Sequence, residues 1–196
     1  SILLYRCFFS FVWSDESFYL SLVHRFWVGD RPIVDEWSGV QFYAVALLPL
    51  YAIYRWVMGS SDGVYLFFRI SMVLANYILS LYIFQTLKKR ADSLPAFWGA
   101  LFYLLYTRAN ILGASYYSFG LLFYTWSLFL LLNNRDGYKK ARMLLSGFTM
   151  ALSVLAIPYL GVLYVLCMFS ILVIPYLREY RKNFLRMMFG TFIIAV

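Results

Sequence analysis

Residues 14–41, SDESFYLSLVHRFWVGDRPIVDEWSGVQ, decide how this chain is read. They separate one strongly apolar segment from the next and sit where the acid is concentrated. Six of the nine Asp and Glu residues lie between Asp15 and Asp62. Phe18, Tyr19, Leu22, Val23, Phe26 and Trp27 recur at helical spacing, while Ser17, Ser21, His24 and Arg25 fall on the other side. Ser14 reads as an N-cap, and Gly29-Asp30-Arg31-Pro32 reads as a stop. A helix of about fourteen residues is too short to cross a bilayer. Its two-sided pattern suits the membrane interface instead.

Composition extends this reading to the whole chain. Of the 196 residues, 63% are hydrophobic and 13% are charged, whereas a soluble domain is nearer half apolar and a quarter charged. The expected class is therefore all-α, a polytopic transmembrane helix bundle. The net charge of +8 would suggest nucleic acid if its arginines and lysines formed a patch. They lie in short loops between apolar runs, which is a topology signal and not a nucleic-acid footprint.

One transmembrane domain is expected over 1–196. Residues 1–13 close a first spanning helix, and 14–62 form an extracytoplasmic loop with interfacial or re-entrant helices. About six further helices follow in 64–196, at 64–87, 94–109, 117–133, 143–157, 159–177 and 184–196. The chain reads as a fragment that begins inside its first helix and stops inside its last. Val40–Gly59 is long enough to cross, but Pro49 interrupts it and Gln41 and Arg55 lie within it. If it stays on one side, Lys88, Lys89, Arg90, Arg135, Lys139, Lys140, Arg142, Arg178, Arg181, Lys182 and Arg186 share a face. Those are eleven of the seventeen Lys and Arg residues, and the positive-inside rule makes that face cytoplasmic. The acidic loop then faces out, and the expected location is the plasma membrane. Cys7 and Cys167 are far apart in apolar surroundings and read as small hydrophobes rather than a disulfide.

Few residues are left to carry chemistry. Asp15 and Glu16 stand in the first turn of a helix, where carboxylates cap free N–H groups and favour the macrodipole. At the mouth of a helix bundle, the same position lets Asp15 accept a proton from a substrate hydroxyl. Asp35 and Glu36 form a second acidic pair, suited to a polyhydroxylated substrate or a divalent cation, or simply to a solvated loop. Arg69 lies about 8 Å along the helix that starts at Val64. An arginine there must snorkel, pair with an acid or meet an anion, and a phosphate at the interface suits its fork. Arg108 holds the mirror position at the end of the next helix and carries the same readings. A single His without a cysteine cluster argues against zinc. The sequence requires no cofactor and leaves room for a divalent cation.

The stretch SDESFYLSLVHRFWVGDRPIVDEW, continued by VYLFFR at 64–69, resembles the N-terminal half of the GT-C glycosyltransferases. The similarity is greatest to the protein O-mannosyltransferase and aminoarabinose transferase branch. The resemblance implies a GT-C-like bundle and a sugar donor carried on a polyprenyl phosphate, with transfer on the extracytoplasmic face to a lipid, glycan or protein acceptor. By the same resemblance, Asp15 and Glu16 are the expected catalytic acids. Arg69 lies near the lipid phosphate, and Glu36 is the acid of the loop. Two departures bear on sugar and acceptor. Trp37-Ser38-Gly39-Val40-Gln41 stands where the aminoarabinose branch has Lys-Pro-Pro, and the 108–118 loop has no acid. The expected function is thus a polyprenyl-phosphate-sugar-dependent transferase, whose fragment is inactive alone. The alternatives are a lipid-linked sugar transporter or a non-catalytic membrane subunit.

Overall fold

The computed structural model describes residues 2–9, 15–106, 112–134 and 139–173. The described residues are all-α: eight helices and no strand, with one isolated bridge between Pro32 and Glu36. The helices are α1 (Ile2–Phe9), α2 (Asp15–Val28), α3 (Phe42–Met58), α4 (Val64–Leu87), α5 (Ser93–Leu105), α6 (Tyr116–Asn134), α7 (Lys140–Ala156) and α8 (Leu160–Val173). The chain divides into two compact units, Ser1–Phe119 and Gly120–Val196. The helix expected at 184–196, like the end of the one expected at 159–177, lies outside the described residues.

In the first unit, α2 ends at Gly29, whose φ of 117° lies in the left-handed region open to glycine. Tyr19, Leu20, Leu22, Val23 and Phe26 are its buried apolar positions, while Phe18 and Trp27 are exposed. The buried stripe is therefore turned from the one periodicity suggests. The reason is α3, which packs along α2 in the same sense. The Tyr43 hydroxyl donates to the Tyr19 carbonyl at 2.9 Å, and further along, Tyr51 meets His24 and Trp27.

Pro49 does not interrupt α3, contrary to expectation; the helix is continuous from Phe42 to Met58. Proline removes one backbone N–H and crowds the preceding turn. Here it sits on the exposed side, opposite buried Tyr43, Ala44, Leu47, Tyr51 and Tyr54. Burial of such side chains contributes roughly 1.5–3 kcal/mol each, enough to outweigh one lost hydrogen bond.

Among the described helices, α4 is the one long and apolar enough to cross a membrane, with 24 residues. It packs against α5 and α1. Leu3 and Cys7 on one face of α1 join Val73 and Leu112 in a small core. In the second unit, α7 and α8 are joined by the turn Ile157–Tyr159, as the sequence suggests. The Leu160 N–H closes that turn on the Ile157 carbonyl at 2.9 Å. Ser127 on α6 and Ser146 on α7 each donate to the other's backbone carbonyl, at 2.9 and 3.1 Å.

Candidate functional site

The site is built around Glu16, one turn before Tyr19 and Leu20 and two turns before Val23. It therefore rides on the buried stripe of α2 and is only 4% exposed. A carboxylate taken out of water needs a partner, and α4 supplies it. The Arg69 Nε donates to Glu16 Oε1 at 2.8 Å and Nη2 donates to Oε2 at 2.5 Å, a fork with two parallel bonds. The remaining terminal nitrogen, Nη1, donates to the Cys7 carbonyl at 2.9 Å. That carbonyl lies in the last turn of α1, where the helix leaves oxygen acceptors open. One guanidinium thus ties α1, α2 and α4 together. Arg69 does not snorkel to solvent, because its side chain is 15% exposed.

A fourth segment closes the site. Gly113, between α5 and α6, approaches the carboxylate so closely that a Cβ there would stand 2.3 Å from Glu16 Oε1. A side chain there would force the carboxylate to shift within its fork. Beside it the chain is pinned by Ser118, whose hydroxyl donates to the Gly113 carbonyl at 2.8 Å and accepts from the Ser115 N–H at 2.9 Å. Tyr19, Tyr43 and Tyr116 meet edge-on or tilted around the next turn of α2.

Asp15 is the first residue of α2, but its side chain lies outside the described residues, as does Arg108. Asp35 and Glu36 are not brought to Glu16. They attach to the far end of α2 through Arg25, nine residues or about 13 Å along the axis from Glu16. Arg25 Nε donates to Asp30 Oδ2 at 2.6 Å, Nη1 to Glu36 Oε2 at 2.8 Å, and Nη2 to the Asp35 carbonyl at 3.1 Å. The hydrogen bonds to Asp30 and then Glu36 hold the Arg25 guanidinium above its usual pKa. Arg31 lies 3.7 Å from Asp35 Oδ2. Arg25 is thus an ion-pair hub that keeps 42% of its side chain exposed, and His24, also exposed, is hydrogen-bonded to the Tyr51 hydroxyl at 2.6 Å. Among the described residues no three His, Cys, Asp or Glu side chains gather as metal ligands.

Sequence reasoning therefore selected both members of the buried pair without pairing them. It missed Gly113 and the Cys7 carbonyl. No family model matches the chain, and neither a curated protein nor a solved structure matches it.

Proposed function

We propose that this chain belongs to a membrane glycosyltransferase of GT-C type, taking a sugar from a polyprenyl-phosphate carrier on the extracytoplasmic face of the plasma membrane. The observation that carries the reading is the buried Glu16–Arg69 fork, one residue after Asp15 and at the point where three helices meet. An acid and a cation fixed in this way give the adjacent Asp15 a rigid base, and preorganised charge is a large catalytic term. The other apolar helices, in this proposal, complete a multi-pass bundle around α4.

The transfer is a displacement at the anomeric carbon. A bond forms from the acceptor hydroxyl oxygen to that carbon, the bond to the phosphate oxygen breaks, and its electron pair leaves with the polyprenyl phosphate. Asp15 receives the acceptor's proton. Three of the five guanidinium N–H groups of Arg69 are engaged by Glu16 and Cys7. The other two are assigned to the donor phosphate, with Arg108 as a second cation. A role for Asp35 and Glu36 in binding substrate or a divalent cation requires them to give up their bonds to Arg25 and Arg31.

The test follows label leaving a radiolabelled polyprenyl-phosphate sugar in membranes that contain the full-length protein. Asp15→Asn is expected to cost at least about a hundredfold in rate, with membrane insertion unchanged. Transfer at the wild-type rate by that variant removes Asp15 from the mechanism. No transfer from any donor by the wild-type protein sinks the enzyme reading.

A further inference from the structure

The loop between α2 and α3 is built inside out. Its acids are turned onto its own cations and backbone: Asp30 and Glu36 onto Arg25, Asp35 Oδ2 onto the Arg31 N–H at 2.7 Å, and Glu36 Oε1 onto the Ser38 N–H at 3.0 Å. The Ile33 N–H is fixed by Gln41 Oε1 at 2.8 Å. What the loop presents outward is largely apolar, although Asp35 keeps 41% of its side chain exposed. Ile33 and Val34 are more than half exposed, and Trp37 is 85% exposed. Ile33 holds φ at 70°, a region that β-branched residues rarely enter. The exposed apolar run continues into Trp27 and Val28 at the end of α2. Arg31 is the one cation of the loop that reaches out, with 74% of its side chain exposed.

A loop meant for water arranges these groups the other way round. Aliphatic side chains with tryptophan and an outward arginine match the layer where acyl chains meet headgroups. We propose that the 33–37 tip is a membrane wedge, with Ile33, Val34 and Trp37 seated at that boundary and Arg31 at lipid phosphates. The Arg25 cluster is the frame that holds the wedge in shape. The proposal rests on the membrane reading of the chain and is independent of sugar transfer.

The test uses the full chain in vesicles of phosphatidylcholine and phosphatidylglycerol, with Cys7→Ser and Cys167→Ser as background. A bimane label is placed singly through Trp37→Cys, Val34→Cys, Ser60→Cys or Ile78→Cys. Ser60 belongs to the polar loop before α4, and Ile78 is an exposed apolar position on α4. Lipid bearing a shallow doxyl group is expected to quench labels 34 and 37 at least about threefold more than label 60, with iodide showing the reverse order. Iodide quenching at 37 equal to that at 60 overturns the wedge. Protection of 37 from both quenchers also overturns it, in favour of a protein partner. Loss of lipid quenching at 78 instead removes the membrane reading on which the wedge stands. If the cysteine-free background does not fold, brominated lipid is applied to the native chain and to Trp37→Phe. An unchanged bromolipid-sensitive share of tryptophan emission in Trp37→Phe overturns the proposal equally.

Discussion

Two Asp-Glu dipeptides open and close the same helix-loop segment, and their fates differ. Glu16, from the first, is buried and bonded to an arginine 53 positions away on another helix. Glu36, from the second, is bonded to an arginine eleven positions away, which is itself 42% exposed. The first pair joins α1, α2 and α4, so it forms only when the unit has assembled. The second closes a local loop and can form as soon as α2 does. Identical residue types thus serve global assembly in one place and local shape in the other. What separates them is burial and the length of chain their partners bridge.

The sharpest way to break this contrast is Arg69→Ala, which leaves Glu16 buried without its counter-charge. Removing one member of a buried pair costs about 3–5 kcal/mol, so thermal unfolding in nanodiscs is expected to move strongly downward. A shift below about 1 kcal/mol would place the pair with the exposed ones. A smaller effect is expected for Gly113→Ala. Its methyl group collides with the carboxylate, and overpacking of this kind costs roughly 1–3 kcal/mol. Adding Glu16→Asp withdraws the carboxylate by one methylene, so the double variant is expected to recover part of that loss. Simple additivity in the double-mutant cycle would show that the two positions do not meet. The smallest effect is predicted for Arg25→Ala. Global unfolding stays where it is, while amide exchange at Ile33, Val34 and Asp35 accelerates. A fall in the global transition would mean that the loop, too, supports the bundle.

Much of the helical layout was legible in the sequence because it is written in local signals. The bounds of α2 follow from its apolar period and Gly29, and α4 follows from a long apolar run, with Arg69 its one charge, that ends before Lys88. Pro49 misled because a breaker rule weighs one residue, whereas the buried tyrosines of α3 act along its whole length. The candidate site was half legible. Glu16 and Arg69 stood out as charges in apolar surroundings, but their pairing spans four chain segments that no periodicity connects. The 108–118 loop invites a search for acids. What the site draws from it is the space at Gly113, and nothing in composition marks a glycine that yields room from one that merely turns the chain.

The crossed serines of α6 and α7 carry a consequence for register. Each hydroxyl is satisfied by the neighbouring helix, so Ser127 and Ser146 together hide two polar groups inside the second unit. Their reciprocal bonds also act as a ratchet tooth: a slip of one residue breaks both at once, so the pair holds a single stagger.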